Sequence, residues 1–173
     1  NYHGTIAFRS NGSGWVKGCT LVDCLLEIYN GTVSMTNNLY NFGYVEVGVN
    51  VRPTVTGNTF SSSGFYVSLS GNLQSGDITL DPFQGMPYRW TGSVTSGRTL
   101  TVPGGTTLQM AGSISVTGNA YLKFLSGSTL QMYNNGLYVG DGSQSAGNLQ
   151  MDGVFVVGTH SGSYGTVTFR TNG

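Results

Sequence analysis

The chain has 173 residues, of which 28 are glycine and only 4 proline, with 8% charged residues and a formal net charge of zero. An ordinary domain carries about 25% charged residues, so the polar surface here must be Ser, Thr, Asn, Gln and Gly; the 7 basic and 7 acidic residues are spread singly, which excludes a basic stripe for nucleic acid. Apolar residues make up 38% and recur throughout, which excludes a disordered linker, and no run reaches the roughly 18 apolar residues that membrane insertion needs.

Residues 4–12 read GTIAFRSNG, a strand with Ile6 and Phe8 on one face followed by a polar turn. No signal-peptide pattern precedes it, so Asn1 is expected to be a processing boundary. Three segments then align: VKGCTLVDCLLEIY (16–29), MTNNLYNFGYVEVGV (35–49) and VTGNTFSSSGFYVSL (55–69). Val16, Met35 and Val55 correspond, with steps of 19 and 20 residues, as do Cys19, Asn38 and Asn58, and Leu21, Tyr40 and Phe60. Stacked coils about 4.8 Å apart would place equivalent side chains on one another. Asn38 and Asn58 then stand as an inner ladder of amides bonded along the axis, against the plainer reading of exposed turn residues. The same alignment stacks Glu27 on Glu46, about 5 Å apart, with a calcium ion, Lys17 or Arg52 as candidates to relieve the repulsion.

Cys19 and Cys24 fit no metal motif, since no His or further Cys completes four ligands. A local disulfide and a pair of core thiols are the two readings; nothing near them in sequence would activate a nucleophile. Residues 70–98 break the pattern: Pro82 and Pro87 interrupt pairing, and Phe83, Tyr88 and Trp90 cluster around them. These three aromatics are the candidates for stacking on a sugar ring, or else they fill a gap where the coil changes cross-section.

From residue 99 short alternating strands return, and the tripeptide Leu-Gln-Met recurs at 108–110, 130–132 and 149–151, at spacings of 22 and 19. Strand-and-turn repeats near 20 residues, with no room for a helix, predict an all-β, right-handed parallel β-helix (β-solenoid) of about 7–9 rungs of roughly 19–22 residues. The chain is expected to be one domain over 1–173, with Asn-ladder rungs at 4–69, an irregular excursion at 70–98 and Leu-Gln-Met rungs at 99–173. The closing nine residues, GTVTFRTNG (165–173), match GTIAFRSNG (4–12) at six of nine positions, at an offset of 161. No polar cap of the kind that seals a soluble solenoid is legible at either edge. Ile6, Phe8, Arg9, Val167, Phe169 and Arg170 are therefore expected to be assembly ends through which copies stack head to tail or repeat in tandem.

The segments PTVTGNTFSSSGFYVSLSG (53–71) and GSVTSGRTLTVPGGTTLQM (92–110) resemble the right-handed parallel β-helix repeats of large bacterial secreted and cell-surface proteins, as do the strands of the GTVTFR type. The resemblance covers roughly 4–69 and 92–173, and it specifies a fold that hosts many roles. The low charge, the matching ends and the lack of reactive clusters lead instead to the expectation of a non-enzymatic structural protein, extracellular or at the cell surface: a filament, sheath or stalk unit whose partners are copies of itself. The alternatives are a polysaccharide-binding adhesin module using Tyr29, Tyr44, Tyr66 or the Phe83–Trp90 region, and, since some relatives are polysaccharide lyases, an enzyme using Glu27 and Glu46. The lyase reading lacks gathered acids for calcium and a poised base. VGDGSQSAG (139–147) resembles a calcium-binding turn but occurs once. Ice binding is disfavoured, with Thr99/Thr101 the one Thr-x-Thr pair in the aligned rungs. No catalytic residue, metal or cofactor is expected.

Overall fold

The structure is a computed structural model and describes residues 4–61, 64–142, 146–158 and 164–170. The described residues contain no helix; they are parallel strands stacked as a β-solenoid, about 7 turns in all, at the low end of the expected range. By its contacts the chain divides into two compact units, Asn1–Ser70 and Gly71–Gly173.

The first unit holds β1 (Gly4–Phe8), β2 (Gly14–Lys17), β3 (Thr20–Ile28), β4 (Val33–Thr36), β5 (Leu39–Gly48), β6 (Thr54–Thr56), β7 (Thr59–Phe60) and β8 (Val67–Ser70). Each coil repeats one order: a short strand, a corner, then a longer strand or strand pair. The corner is set by a residue with positive φ at the same place in each coil, Gly18 (64°), Asn37 (54°) and Gly57 (64°), residue types that tolerate the left-handed region. β3 and β5 each bend midway. At the bend of β5, Gly43 has φ 106° and a Cβ there would run into the Cys24 carbonyl oxygen.

Pairing follows the expected alignment. Val16, Met35 and Val55 form one column, and Leu21, Tyr40 and Phe60 another. Ile6, Leu26, Val45 and Val67 form a third, and Phe8, Ile28, Val47 and Leu69 a fourth. Period-2 alternation sends these columns inward, and most members are buried. Beside them the Asn38 side chain accepts from the Cys19 N–H (3.0 Å) and donates to the Val16 carbonyl (2.8 Å) and to Asn58 Oδ1 (2.9 Å). Asn58 repeats the pattern one coil on, accepting from the Asn38 N–H (3.0 Å) and donating to the Met35 carbonyl (2.9 Å). Both amides are buried, so the inner ladder is present.

Tyr40 stacks on Phe60 at 4.9 Å, and its buried hydroxyl stands beside the Asn38 amide without a well-formed hydrogen bond among the described residues. A buried hydroxyl without a partner costs about 1–3 kcal/mol. Tyr40→Phe is therefore expected to hold or raise the denaturation midpoint, by up to about 1 kcal/mol once the small void left is counted. A clear loss of stability in urea titration would show that the hydroxyl is satisfied after all.

The second unit holds β9 (Ile78–Thr79), β10 (Tyr88–Val94), β11 (Thr99–Val102), β12 (Thr107–Val116), β13 (Ala120–Phe124), β14 (Thr129–Met132), β15 (Gly136–Val139), β16 (Gly147–Met151), β17 (Phe155–Gly158) and β18 (Thr166–Phe169). Within residues 70–98, Ile78 pairs with Leu100, and Tyr88, Trp90 and Val94 pair with Leu108, Met110 and Val116. Pro82 and Pro87 lie between β9 and β10, where the ladder asks for few N–H donors. The third Leu-Gln-Met leaves its expected column. Leu108 pairs with Leu130, but Leu130 pairs with Val156, while Leu149 pairs with Leu122 on a different sheet.

Candidate functional site

The three aromatics singled out as sugar platforms are core residues. Trp90 is 0% exposed, and its indole N–H donates to the Gly71 carbonyl at 3.0 Å. Phe83 and Tyr88 are buried and meet edge to face at 6.3 Å, and the Tyr88 hydroxyl donates to the Asp81 carbonyl at 2.7 Å. An aromatic platform must offer a ring face to solvent, and these rings offer none. Tyr44 and Tyr66 stack on each other, 5.5 Å apart and 12° from parallel, which closes the two facing ring faces to a ligand.

The stacked carboxylates are real. Glu27 sits opposite Glu46 in the register of β3 and β5. Arg9, at the exit of β1, forms an ion pair with Glu27 and lies 5.5 Å from the centre of the Tyr29 ring. Tyr29 in turn donates its hydroxyl to Glu46 at 2.7 Å. The cluster is thus an outer-face network of one cation, two carboxylates and one phenol, and each carboxylate has a donor. Burial and the hydrogen bond to Glu46 push the Tyr29 phenol up to about 12 from its ordinary 10.0. The phenol is raised in the folded state, so it is protonated where an unfolded chain's would be ionised. Its contribution is complete below pH 10 and is lost as pH rises through about 12. Ultraviolet titration should show Tyr29 among the late-ionising tyrosines, with buried Tyr40 also raised, and one of the late groups should move part of the way back toward 10 in Glu46→Gln; an unchanged titration would remove Tyr29 from the network. A phenol held this high is a poor base at neutral pH.

Cys19 and Cys24 are both free thiols, with Cys19 exposed and Cys24 half-buried. Cys19 stands just before β3 and Cys24 lies within it, with the left-handed bend at Asp23 (φ 50°) between them. Among the described residues no group of three His, Cys, Asp or Glu side chains could hold a metal ion. Residues 143–145 of the glycine-aspartate turn lie outside the described residues. The outward Thr54/Thr56 pair on β6 was overlooked in the sequence; it sits over Ser34 and Thr36, a rank only two coils deep.

The sheet edges hold what is distinctive. β1 is the terminal strand on its side of the first unit, and β16, β17 and β18 are terminal strands in the second. β1 lies against the second half of β3, from Gly4↔Cys24 to Phe8↔Ile28. β18 lies on β15, from Gly136↔Thr166 to Val139↔Phe169. Ile6, Val167 and Phe169 are exposed, Phe8 is half-buried, and Arg170 lies 4.3 Å from the centre of the Tyr138 ring. Around β18 the last coil shows Phe155 at 68%, Val156 at 53% and Val157 at 46% exposed, while Trp15 and Val22 are exposed at 75% and 52% in the first unit. Apolar side chains on unpaired strand edges are a template for another strand. Residues 171–173 of the repeated nonapeptide lie outside the described residues.

No protein-family model matches the chain, and neither a curated protein nor a solved structure does.

Proposed function

We propose that this chain is a non-enzymatic structural protein of the extracellular space or cell surface, a β-solenoid unit that stacks end to end or in tandem into a filament, sheath or stalk. Bacterial secreted proteins, whose β-helix repeats its segments resemble, are its proposed setting. The single observation that carries the reading is the likeness of two strands, β1 and β18, which share the sequence Gly-Thr-x-x-Phe-Arg and, with β17, expose apolar side chains at the outer positions of their sheets among the described residues. Heterologous contacts between unlike faces that do not close a ring build fibres. With zero net charge, little long-range repulsion opposes them. Natural sheets that must stay monomeric place charge, Pro or a covering segment on such edges; β17 carries Phe, Val, Val and Gly.

Negative-stain microscopy with light scattering across a concentration series tests this. Uniform unbranched filaments that lengthen with concentration are expected. Monodisperse monomers at every concentration would overturn the reading.

A further inference from the structure

Three exposed asparagines recur at one corner of the first unit: Asn11, Asn30 and Asn50, at the same steps of 19 and 20 residues as the Val16–Met35–Val55 column. The first two are followed by glycine and the third by Val51. In the second unit Asn135 precedes Gly136, and Asn172–Gly173 lies outside the described residues.

An asparagine followed by glycine carries the parts of a reaction with itself. The main-chain nitrogen of the glycine attacks the side-chain carbonyl carbon, ammonia leaves, and a cyclic imide forms that water then opens. Glycine permits the approach because it has no side chain in the way. No enzyme, metal or oxidant is needed. In a folded chain the rate depends on whether the nitrogen and the carbonyl are held together.

The candidates differ on that geometry. The Gly31 N–H donates to Asn30 Oδ1 at 2.8 Å, so the attacking nitrogen and its target carbonyl are already in contact. In the preceding coil the Gly12 N–H is turned to the Arg9 carbonyl at 2.9 Å. In the following coil the Val51 N–H donates to the Gly48 carbonyl at 2.8 Å, and Val51 is buried and branched. The Asn135 amide donates to the Met110 carbonyl at 2.9 Å, and Gly136 is buried in β15. The chain on both sides of Asn30–Gly31 is also tied to the preceding coil. The Tyr29 N–H donates to the Phe8 carbonyl at 3.1 Å, the Thr32 N–H to Ser13 Oγ at 3.2 Å, and the Thr32 carbonyl accepts from the Gly14 N–H at 3.1 Å.

We infer that Asn30 is a self-modification site, where the folded coil deamidates its own side chain. The Gly31 nitrogen gives up its proton to solvent base and bonds to Asn30 Cγ. The Cγ–Nδ2 bond breaks and ammonia leaves, taking up a proton. Water opens the imide at Cγ to give aspartate, or at the main-chain carbonyl to give the β-linked isomer. One water is consumed, one ammonia is released, and a chain of zero net charge gains a carboxylate. The two openings are not equal. Gly31 has φ 84° and lies so close to the preceding coil that a Cβ there would run into the Gly12 carbonyl oxygen. The β-linked isomer lengthens the main chain by one carbon at this contact, whereas aspartate keeps its length. Aspartate is the product that the coil retains.

Peptide mapping by tandem mass spectrometry, on protein aged at mildly alkaline pH, tests this. Amide-to-acid conversion is expected at Asn30 several-fold ahead of Asn11 and Asn135, with Asn50 unconverted and aspartate the main product. It should quicken as pH rises, since the attacking nitrogen must lose its proton. In the chain unfolded in guanidinium, Asn11, Asn30 and Asn135 should convert at similar rates and give both isomers. Asn11 or Asn135 leading in the folded protein, or one ranking shared by the folded and unfolded chains, overturns the inference. Ion exchange gives a second readout. Wild type should accumulate an acidic form with age and Asn30→Gln should not, because the longer side chain must close a larger ring. The same acidic form appearing at the same rate in Asn30→Gln would place the reaction elsewhere and overturn the assignment.

Discussion

Replacing Trp90 with Ala is expected to cost about 3–5 kcal/mol, from a total that for most domains is about 5–15 kcal/mol. Trp90 is fully buried in β10, opposite Met110, and Met110 is opposite Met132. Truncation would open a cavity in that column that neither neighbour can fill without breaking register. It would also strand the Gly71 carbonyl that the indole N–H serves at 3.0 Å. Gly92 shows how closely the ring is held: a Cβ built there would lie 2.8 Å from both Nε1 and Cε2 of the indole. Trp90→Phe separates the two contributions. It keeps most of the apolar volume and loses the donor, so it should fall between wild type and Trp90→Ala. Thermal unfolding followed by circular dichroism reads both. A Trp90→Ala midpoint within a degree or two of wild type would return the ring to the surface and reopen the sugar-platform reading.

Legibility in the sequence tracked regular spacing. The columns Val16–Met35–Val55 and Leu21–Tyr40–Phe60 were visible because their steps are 19 and 20 residues and no insertion falls between them. The Leu-Gln-Met repeat misled at its third occurrence for the converse reason. Leu122 and Leu149 are paired although 27 residues apart, because the corner between β15 and β16 is longer. The tripeptide's inward-outward alternation suits any face of a coil, so identity of letters did not fix identity of column. Around Pro82 and Pro87 the breakers were read correctly as breakers of strands, but a solenoid places such residues at corners while the coil continues. Arg9 escaped notice as the partner of Glu27 because it belongs to the preceding coil, where alignment by rung did not extend. The likeness of β1 and β18 was legible as an echo between two nonapeptides; the strands they pair with, β3 and β15, were not, because letter identity does not fix a column.

The amide ladder carries the other large effect. Asn38→Leu keeps the number and branching of the side-chain heavy atoms, so no cavity forms, yet the variant is expected to lose about 3–5 kcal/mol, since each buried polar group left unpaired costs about 1–3 kcal/mol. The Cys19 N–H and the Val16 carbonyl each lose the Asn38 bond the structure gives them, and the donor to Asn58 Oδ1 also disappears. Asn58→Asp sharpens the test by changing one group from donor to acceptor. The new side chain can still accept from the Asn38 N–H, but as a carboxylate it faces the Met35 carbonyl, to which the Asn58 amide donates. Only the protonated acid can donate there, and burial also favours the neutral form, so its folded pKa rises above the ordinary value of about 3.9. A group raised on folding contributes most below its unfolded pKa and loses that contribution as pH rises through the folded value. Asn58→Asp should therefore be closest to wild type near pH 4 and progressively weaker toward pH 7. Urea midpoints at the two pH values read this directly. A variant equally stable at both would mean that the amide at this corner reaches water and that the axis of the coil is not where its order comes from.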